Sequence, residues 1–293
     1  MTKKLTALVL ALLIAALGLG LSACDNNGKD ATTAAPGATT TEKIFEDDGK
    51  LTVGFDASFP PMGFSDGEGG YTGFDLECAA AVAEYLDMEL VLKPIIWDNN
   101  ETELNGGNVD CLWNGMTINE KRLAAFEVSK AYMKNKQVVV VRAADDYETL
   151  ADLAGKTAGL QNGSTAYQAL EANTDFKDSL KSDLVLKENN TLVATDLQSG
   201  VIDCAIMDLI VADHMISEGK AFKVLDESLE DEEYGIGFAK GNTALRDKVQ
   251  NALYALYADG TLKTISQKWF ARDVFINMPA AGTSTTTTSA TPS

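Results

Sequence analysis

The sequence has little of what metal and redox chemistry needs. Its only histidine is His214, and its four cysteines, Cys24, Cys78, Cys111 and Cys204, form no CxxC pair and no His/Cys grouping. That spacing offers no zinc site, no strong disulfide candidate and no cofactor. His214, on a predicted helix near Ala212 and Ile216, reads as a surface or packing residue. Cations are scarce too: 24 Lys and Arg stand against 43 Asp and Glu, a formal charge of −19. A chain this acidic is a poor binder of nucleic acid and is repelled by anionic lipid.

One long apolar run is present, at the start. Lys3 and Lys4 precede Leu5 to Leu21, and the run ends in Leu21-Ser22-Ala23-Cys24. This predicts a secretory signal peptide over residues 1–23, because the run is short for a spanning helix. Small residues followed at once by cysteine resemble the lipobox of bacterial lipoproteins, which makes Cys24 the expected point of lipid attachment. Removing residues 1–23 takes away two lysines and no acid, and the charge moves to −21. Residues 24–43 read as a flexible polar tether and residues 280–293 as a disordered tail, since neither offers core-forming side chains. The folded part is expected over residues 44–279.

Within it, strands alternate with helices, the pattern of a parallel α/β sheet. Leu51–Phe55 and Glu89–Lys93 read as strands around a helix over 76–86, with Asp75 as its expected N-cap. Val109–Trp113 is a further strand. A second series has strands at 137–142, 156–160, 184–187, 203–207 and 222–226, before Tyr234–Lys240 crosses back and two helices, 244–258 and 262–270, close the fold. Two segments echo each other. Gly107-Asn-Val-Asp-Cys111 and Gly200-Val-Ile-Asp-Cys204 are both glycine turns into buried strands, which implies two similar lobes with a cleft between them. In open α/β sheets a ligand sits beyond the carboxyl ends of the strands. Asn114 and Asp208 stand at those ends.

The stretch Asn114-Gly-Met-Thr117-Ile-Asn-Glu-Lys-Arg122 carries the chemistry. A strand gives way to a small-residue turn and then to a short amphipathic helix with Arg122 in its first turn. Thr117 or Asn119 is the cap, and Thr117 with Glu120 matches a capping box, as Thr165 with Gln168 does further on. Free backbone N–H groups at a helix start, beside an arginine fork, suit a carboxylate.

Taken with FDASFPPMGF, YTGFDLE, LQNGSTA, DLQSGVIDCAIMD, YGIGFAKGN and YADGTLKTISQKWF, this stretch resembles the polar amino-acid-binding group, family 3, of bacterial ABC-transporter solute-binding proteins. The resemblance spans about residues 51–275. It implies a type II periplasmic-binding-protein fold, with two α/β lobes joined by a double crossover: residues 44–137 with 236–279, and residues 138–235. It implies that Arg122 grips the α-carboxylate of a free amino acid, with backbone N–H groups at Thr117, Ser164 and Thr165. Asp208, the Gly115 carbonyl and the Thr117 hydroxyl would meet the α-ammonium, Phe59 and Trp97 would enclose the side chain, and Asp56 would meet its polar end. The expected ligand is therefore polar, basic or amide.

The chain departs from the family in lacking a partner for Cys78, in Ala166 and in Trp113. The implied partners are a free amino acid, the permease subunits of an ABC importer and, through the lipid, the outer face of the cytoplasmic membrane; the expected state is a monomer without enzymatic activity. Two other functions fit this fold, a dehydratase-like enzyme and an amino-acid-sensing ectodomain.

Overall fold

The computed structural model describes residues 48–279. In chain order its elements are β1 (Lys50–Phe55), β2 (Ser58–Phe59), β3 (Gly63–Ser65), β4 (Tyr71–Thr72), α1 (Phe74–Tyr85), β5 (Glu89–Pro94), α2 (Asn100–Asn105), β6 (Cys111–Thr117), α3 (Glu120–Ala125), β7 (Phe126–Val128) and β8 (Met133–Arg142). They continue with β9 (Ala158–Gln161), α4 (Thr165–Ala172), α5 (Thr174–Ser179), β10 (Val185–Lys187), α6 (Asn190–Ser199), β11 (Cys204–Asp208), α7 (Leu209–Ser217), β12 (Phe222–Ala239), α8 (Thr243–Ala258) and α9 (Thr261–Phe270). Among the described residues no helix is long and apolar enough to cross a membrane.

The main sheet runs β10-β9-β11-β8-β12-β6-β1-β5, with β7 on β12. Its outer strands, β5-β1-β6 at one end and β10-β9-β11 at the other, pair in parallel. The middle is antiparallel, where β8 and β12 run against each other and against β11 and β6. These two long strands are the double crossover of a type II fold. Phe222–Asp226 and Tyr234–Lys240, read from the sequence as separate segments, belong, all but Lys240, to one 18-residue strand. The expected lobe boundaries at 137/138 and 235/236 both fall inside these strands.

Alternation explains how one strand serves two cores. Side chains along a strand point to opposite faces in turn. In β8, Val138 and Val140 enter the larger cluster that also holds Phe55, Phe74 and Leu253, while Val139 and Val141 enter a second one with Leu160, Leu170 and Phe176. β11 does the same, with Ala205 and Met207 on one face and Cys204 and Ile206 on the other. A strand buried on both faces reads as a continuous apolar run, and each valine so buried contributes about 1.5–3 kcal/mol. On the first lobe α1, α8 and α9 cover one face of the sheet, and a third cluster of Trp97, Leu104, Leu112, Met116 and Phe126 covers the other. Cys78, Cys111 and Cys204 are buried and free. Cys24, the tether and the tail lie outside the described residues.

Candidate functional site

β6 does not end at Trp113 as the sequence suggests. It continues to Thr117, and all seven of its residues are buried. What looked like a turn at Asn114-Gly115 is a break in the ladder. β6 pairs with β12 at Cys111, Leu112, Met116 and Thr117, and with β1 only at Cys111 and Leu112. Gly115 has φ +60, and a Cβ there would stand 2.9 Å from Phe59 and 3.1 Å from Tyr234. Only glycine takes this conformation at so close an approach. The freed backbone finds partners elsewhere. The Asn114 side chain accepts the Asp56 N–H at 3.0 Å, and Asp75 accepts the Gly115 N–H at 2.7 Å.

Asp75 is therefore not the N-cap of α1; Gly73 holds that position. The Asp75 carboxylate is fully buried and also accepts the Tyr132 hydroxyl at 2.8 Å. Burial raises its pKa to about 7, although the hydrogen bonds from Tyr132 and Gly115 pull the other way.

Asn119, not Thr117, caps α3: its side chain accepts the Arg122 N–H at 2.9 Å. Thr117 stays in the strand, where its carbonyl accepts Arg122 Nη1 at 2.8 Å. Arg122 is 8% exposed, and its guanidinium lies 5.7 Å from the centre of the Trp97 ring and makes no ion pair among the described residues. Desolvation lowers its pKa, and the charges of Glu232 and Asp208 oppose that shift. An arginine stays cationic in either case, so the fold holds a desolvated cation with donors to spare.

The other lobe supplies the opposite charge. Asp208 ends β11 and starts α7 without a capping bond from its side chain. One of its oxygens instead accepts the Tyr234 hydroxyl at 2.5 Å and Asn135 Nδ2 at 2.8 Å. Asn135 also donates to Glu232 at 2.9 Å. Burial and the nearby Glu232 push the Asp208 carboxyl well above the usual carboxylate range. Such a group is relieved by a cation placed against it. Ser164 is the N-cap residue of α4, with its hydroxyl turned to the Gln161 carbonyl. The expected box of Thr165 and Gln168 is absent, and both side chains reach across the cleft. Thr165 meets the Thr117 hydroxyl at 3.1 Å, and Gln168 accepts from Asn119 at 2.9 Å.

Phe59, Trp97, Asn114, Gly115, Thr117, Arg122, Ser164, Thr165 and Asp208 line one cavity together with Gln161, around about 270 Å³ of unfilled space that includes its open mouth. Asp56, the remaining expected residue, lies beside this lining. Its oxygens accept the Ser58 N–H and Gln161 Nε2, each at 2.8 Å, and burial raises its pKa. Gln161 went unassigned in the sequence although it is the second residue of the motif LQNGST. It also donates to the Glu188 carbonyl and accepts from Asn190. A fourth bond across the cleft joins Asn162 to Asp98 at 2.7 Å. The lobes are closed on each other.

The arrangement can hold a molecule with an anion at one end and a cation beside it. Residues 51–272 match the family model described as bacterial extracellular solute-binding proteins, family 3. The chain is 30% identical over 229 residues to the L-cystine-binding protein TcyJ of Escherichia coli K12, covering 77% of this chain and 84% of that protein. Among solved structures, it is similar to a substrate-binding protein of an ABC uptake transporter from Streptococcus pneumoniae with bound histidine. That match has 36% identity and a TM-score of 0.75, and it covers 78% of this chain and 94% of the other. An ancestral arginine-binding protein bound to arginine matches with 35% identity and a TM-score of 0.69, over 76% and 98% of the two chains. The chain belongs to family 3 of the bacterial extracellular solute-binding proteins.

Proposed function

We propose that this protein captures one free polar amino acid between its two lobes and delivers it to an ABC importer. The observation that carries the reading is the pairing of opposite buried charges in one cavity, Arg122 from the first lobe and Asp208 from the second. In this assignment Arg122 takes the α-carboxylate with bidentate geometry, helped by N–H groups at Thr117, Ser164 and Thr165. Asp208 takes the α-ammonium, with the Gly115 carbonyl and the Thr117 hydroxyl. Phe59 and Trp97 flank the side chain, and Asp56, held by Gln161, favours a basic or amide end over an acidic one. The role is binding, not catalysis, because an acid set against the ammonium holds an amino acid rather than converting it.

The finer placement completes the proposal. Residues 44–137 with 236–279 form one lobe and residues 138–235 the other. Cys24 carries lipid after removal of residues 1–23, and the tether leaves a monomeric domain free at the outer face of the cytoplasmic membrane. A thermal-shift screen of the purified chain against free amino acids tests the function, since a ligand of the folded state raises the melting temperature with concentration. No shift with any amino acid would overturn it. For the anchor, Cys24→Ser is expected to release the protein from the membrane fraction at unchanged affinity.

A further inference from the structure

The break in β6 needs something to hold it open. Trp113, Asn114 and Gly115 pair with neither neighbouring strand. Ile236, which stands opposite on β12, is not available either. It gives its N–H to Ser129 Oγ at 2.8 Å, and its carbonyl accepts the Ser129 N–H at 2.9 Å. A buried backbone N–H without an acceptor is costly, so Gly115 would otherwise favour a conformation that restores the ladder. The acceptor it has is Asp75, on the first turn of α1. That bond holds Gly115 at φ +60, and so sets the path of the chain through the Gly115 carbonyl assigned to the ammonium.

We infer that Asp75 is a positioning residue of the ligand site: by taking the Gly115 N–H from behind β6, it keeps the Asn114–Gly115 backbone out of the ladder and in reach of the ligand's ammonium. The inference rests on the reading of the cavity as an amino-acid site. Tyr132 fixes the carboxylate in turn, donating to both of its oxygens at 2.8 and 2.9 Å, and thus leaves Asp75 one orientation. The role needs an acceptor at this point and not a charge. Asparagine, which can turn its oxygen to Gly115 and its amide to the Tyr132 oxygen, would preserve it, whereas leucine, of similar size, would not.

The test is calorimetric titration of the wild type, Asp75→Leu and Asp75→Asn with each of the twenty common L-amino acids and L-cystine. Asp75→Leu should lose at least tenfold in affinity while still melting cooperatively, and Asp75→Asn should stay within about threefold of wild type. A residue that merely supports the fold would lower the melting temperature and leave the affinity of the folded chain alone. Wild-type affinity in folded Asp75→Leu, or equal damage in both variants, would overturn the assignment. If Asp75→Leu fails to fold, hydrogen exchange of the ligand-free wild type decides: the Gly115 amide should be protected, and exchange at the rate of an exposed amide would refute its bond to Asp75. No heat with any titrant in the wild type would instead remove the amino-acid reading, and this inference with it.

Discussion

The two lobes open their central strands with the same device and close them differently. In the first lobe Gly107, at φ +77, turns the chain into Asp110. The Asp110 N–H donates to the Thr52 carbonyl at 2.8 Å, and its side chain accepts the Thr52 N–H at 2.7 Å. In the second, Gly200 sits at φ +78. The Asp203 N–H donates to the Thr157 carbonyl at 2.8 Å, and its side chain accepts the Thr157 N–H at 2.8 Å. An aspartate thus clasps the neighbouring parallel strand at each entrance. At the exits the likeness ends. β11 stays in register with β8 from Cys204 to Asp208, whereas β6 leaves its ladder and kinks at Gly115. One exit presents an anion from a straight strand, and the other presents backbone groups and, one turn later, a cation. The scaffold is repeated, and the asymmetry lies where the site is.

The sharpest break in this comparison is at the charges. Arg122→Ala should leave a folded protein that binds amino acids a few hundredfold more weakly or worse, since stranding a buried charge costs about 3–5 kcal/mol. Asp208→Asn should be nearly as damaging from the opposite lobe. Calorimetry on both variants measures it, and unchanged affinity in either would remove that residue from the site.

A pH effect should come from behind β6, where Asp75 has a folded pKa of about 7 against an ordinary 3.8. The folded state therefore holds this proton more tightly than the unfolded one. The stability linked to it is complete below about pH 4 and is lost as the pH rises through 7, by at most roughly 4 kcal/mol at about 1.4 kcal/mol per unit. In melting curves from pH 5 to pH 8, Asp75→Asn should flatten the decline. An identical slope in the variant would show that Asp75 does not titrate there.

Glycine substitutions separate the first lobe's exit from the second lobe's entrance. Gly115→Ala meets both a positive φ and the Phe59 ring, and should cost about 1–3 kcal/mol together with affinity. Gly200→Ala has the φ but no atom within 4 Å of its new Cβ, and should cost about 1 kcal/mol with affinity intact. An effect of similar size, again on stability alone, is expected at the clasps. Asp110→Ala and Asp203→Ala should each lose about 1–2 kcal/mol, and because the sites share no partners the double variant should show the sum. A clear departure from additivity in denaturant titrations would mean that the two entrances are coupled.

Much of this was legible in the sequence because local patterns carried it. The valine run of β8, the alternation of strands and helices, and the repeated glycine–aspartate entrance can all be read from residue spacing. Nine of the ten residues that the family resemblance points to line one cavity. What could not be read depends on partners distant in sequence. Asp75 lies 40 residues from Gly115, and an acid at a helix start looks like a cap until a strand is found behind it. Gln161 and Asp56 stand 105 residues apart, and nothing local in LQNGST says that its glutamine will close on the other lobe. Asn114-Gly115 passed for a turn because a strand interrupted for function carries the composition of a loop.

The sharing of β8 and β12 between the lobes has a consequence for how the molecule comes apart. The larger core takes Phe55, Phe74 and Leu253 from the first lobe and Val138, Val140, Leu197 and Val211 from the second, so melting either lobe strips away side chains that the other still packs against. Neither lobe can be cut away without leaving its partner a bare strand edge, the kind of surface on which chains aggregate. The two lobes should therefore denature in a single transition, and a fragment carrying one lobe alone should be insoluble.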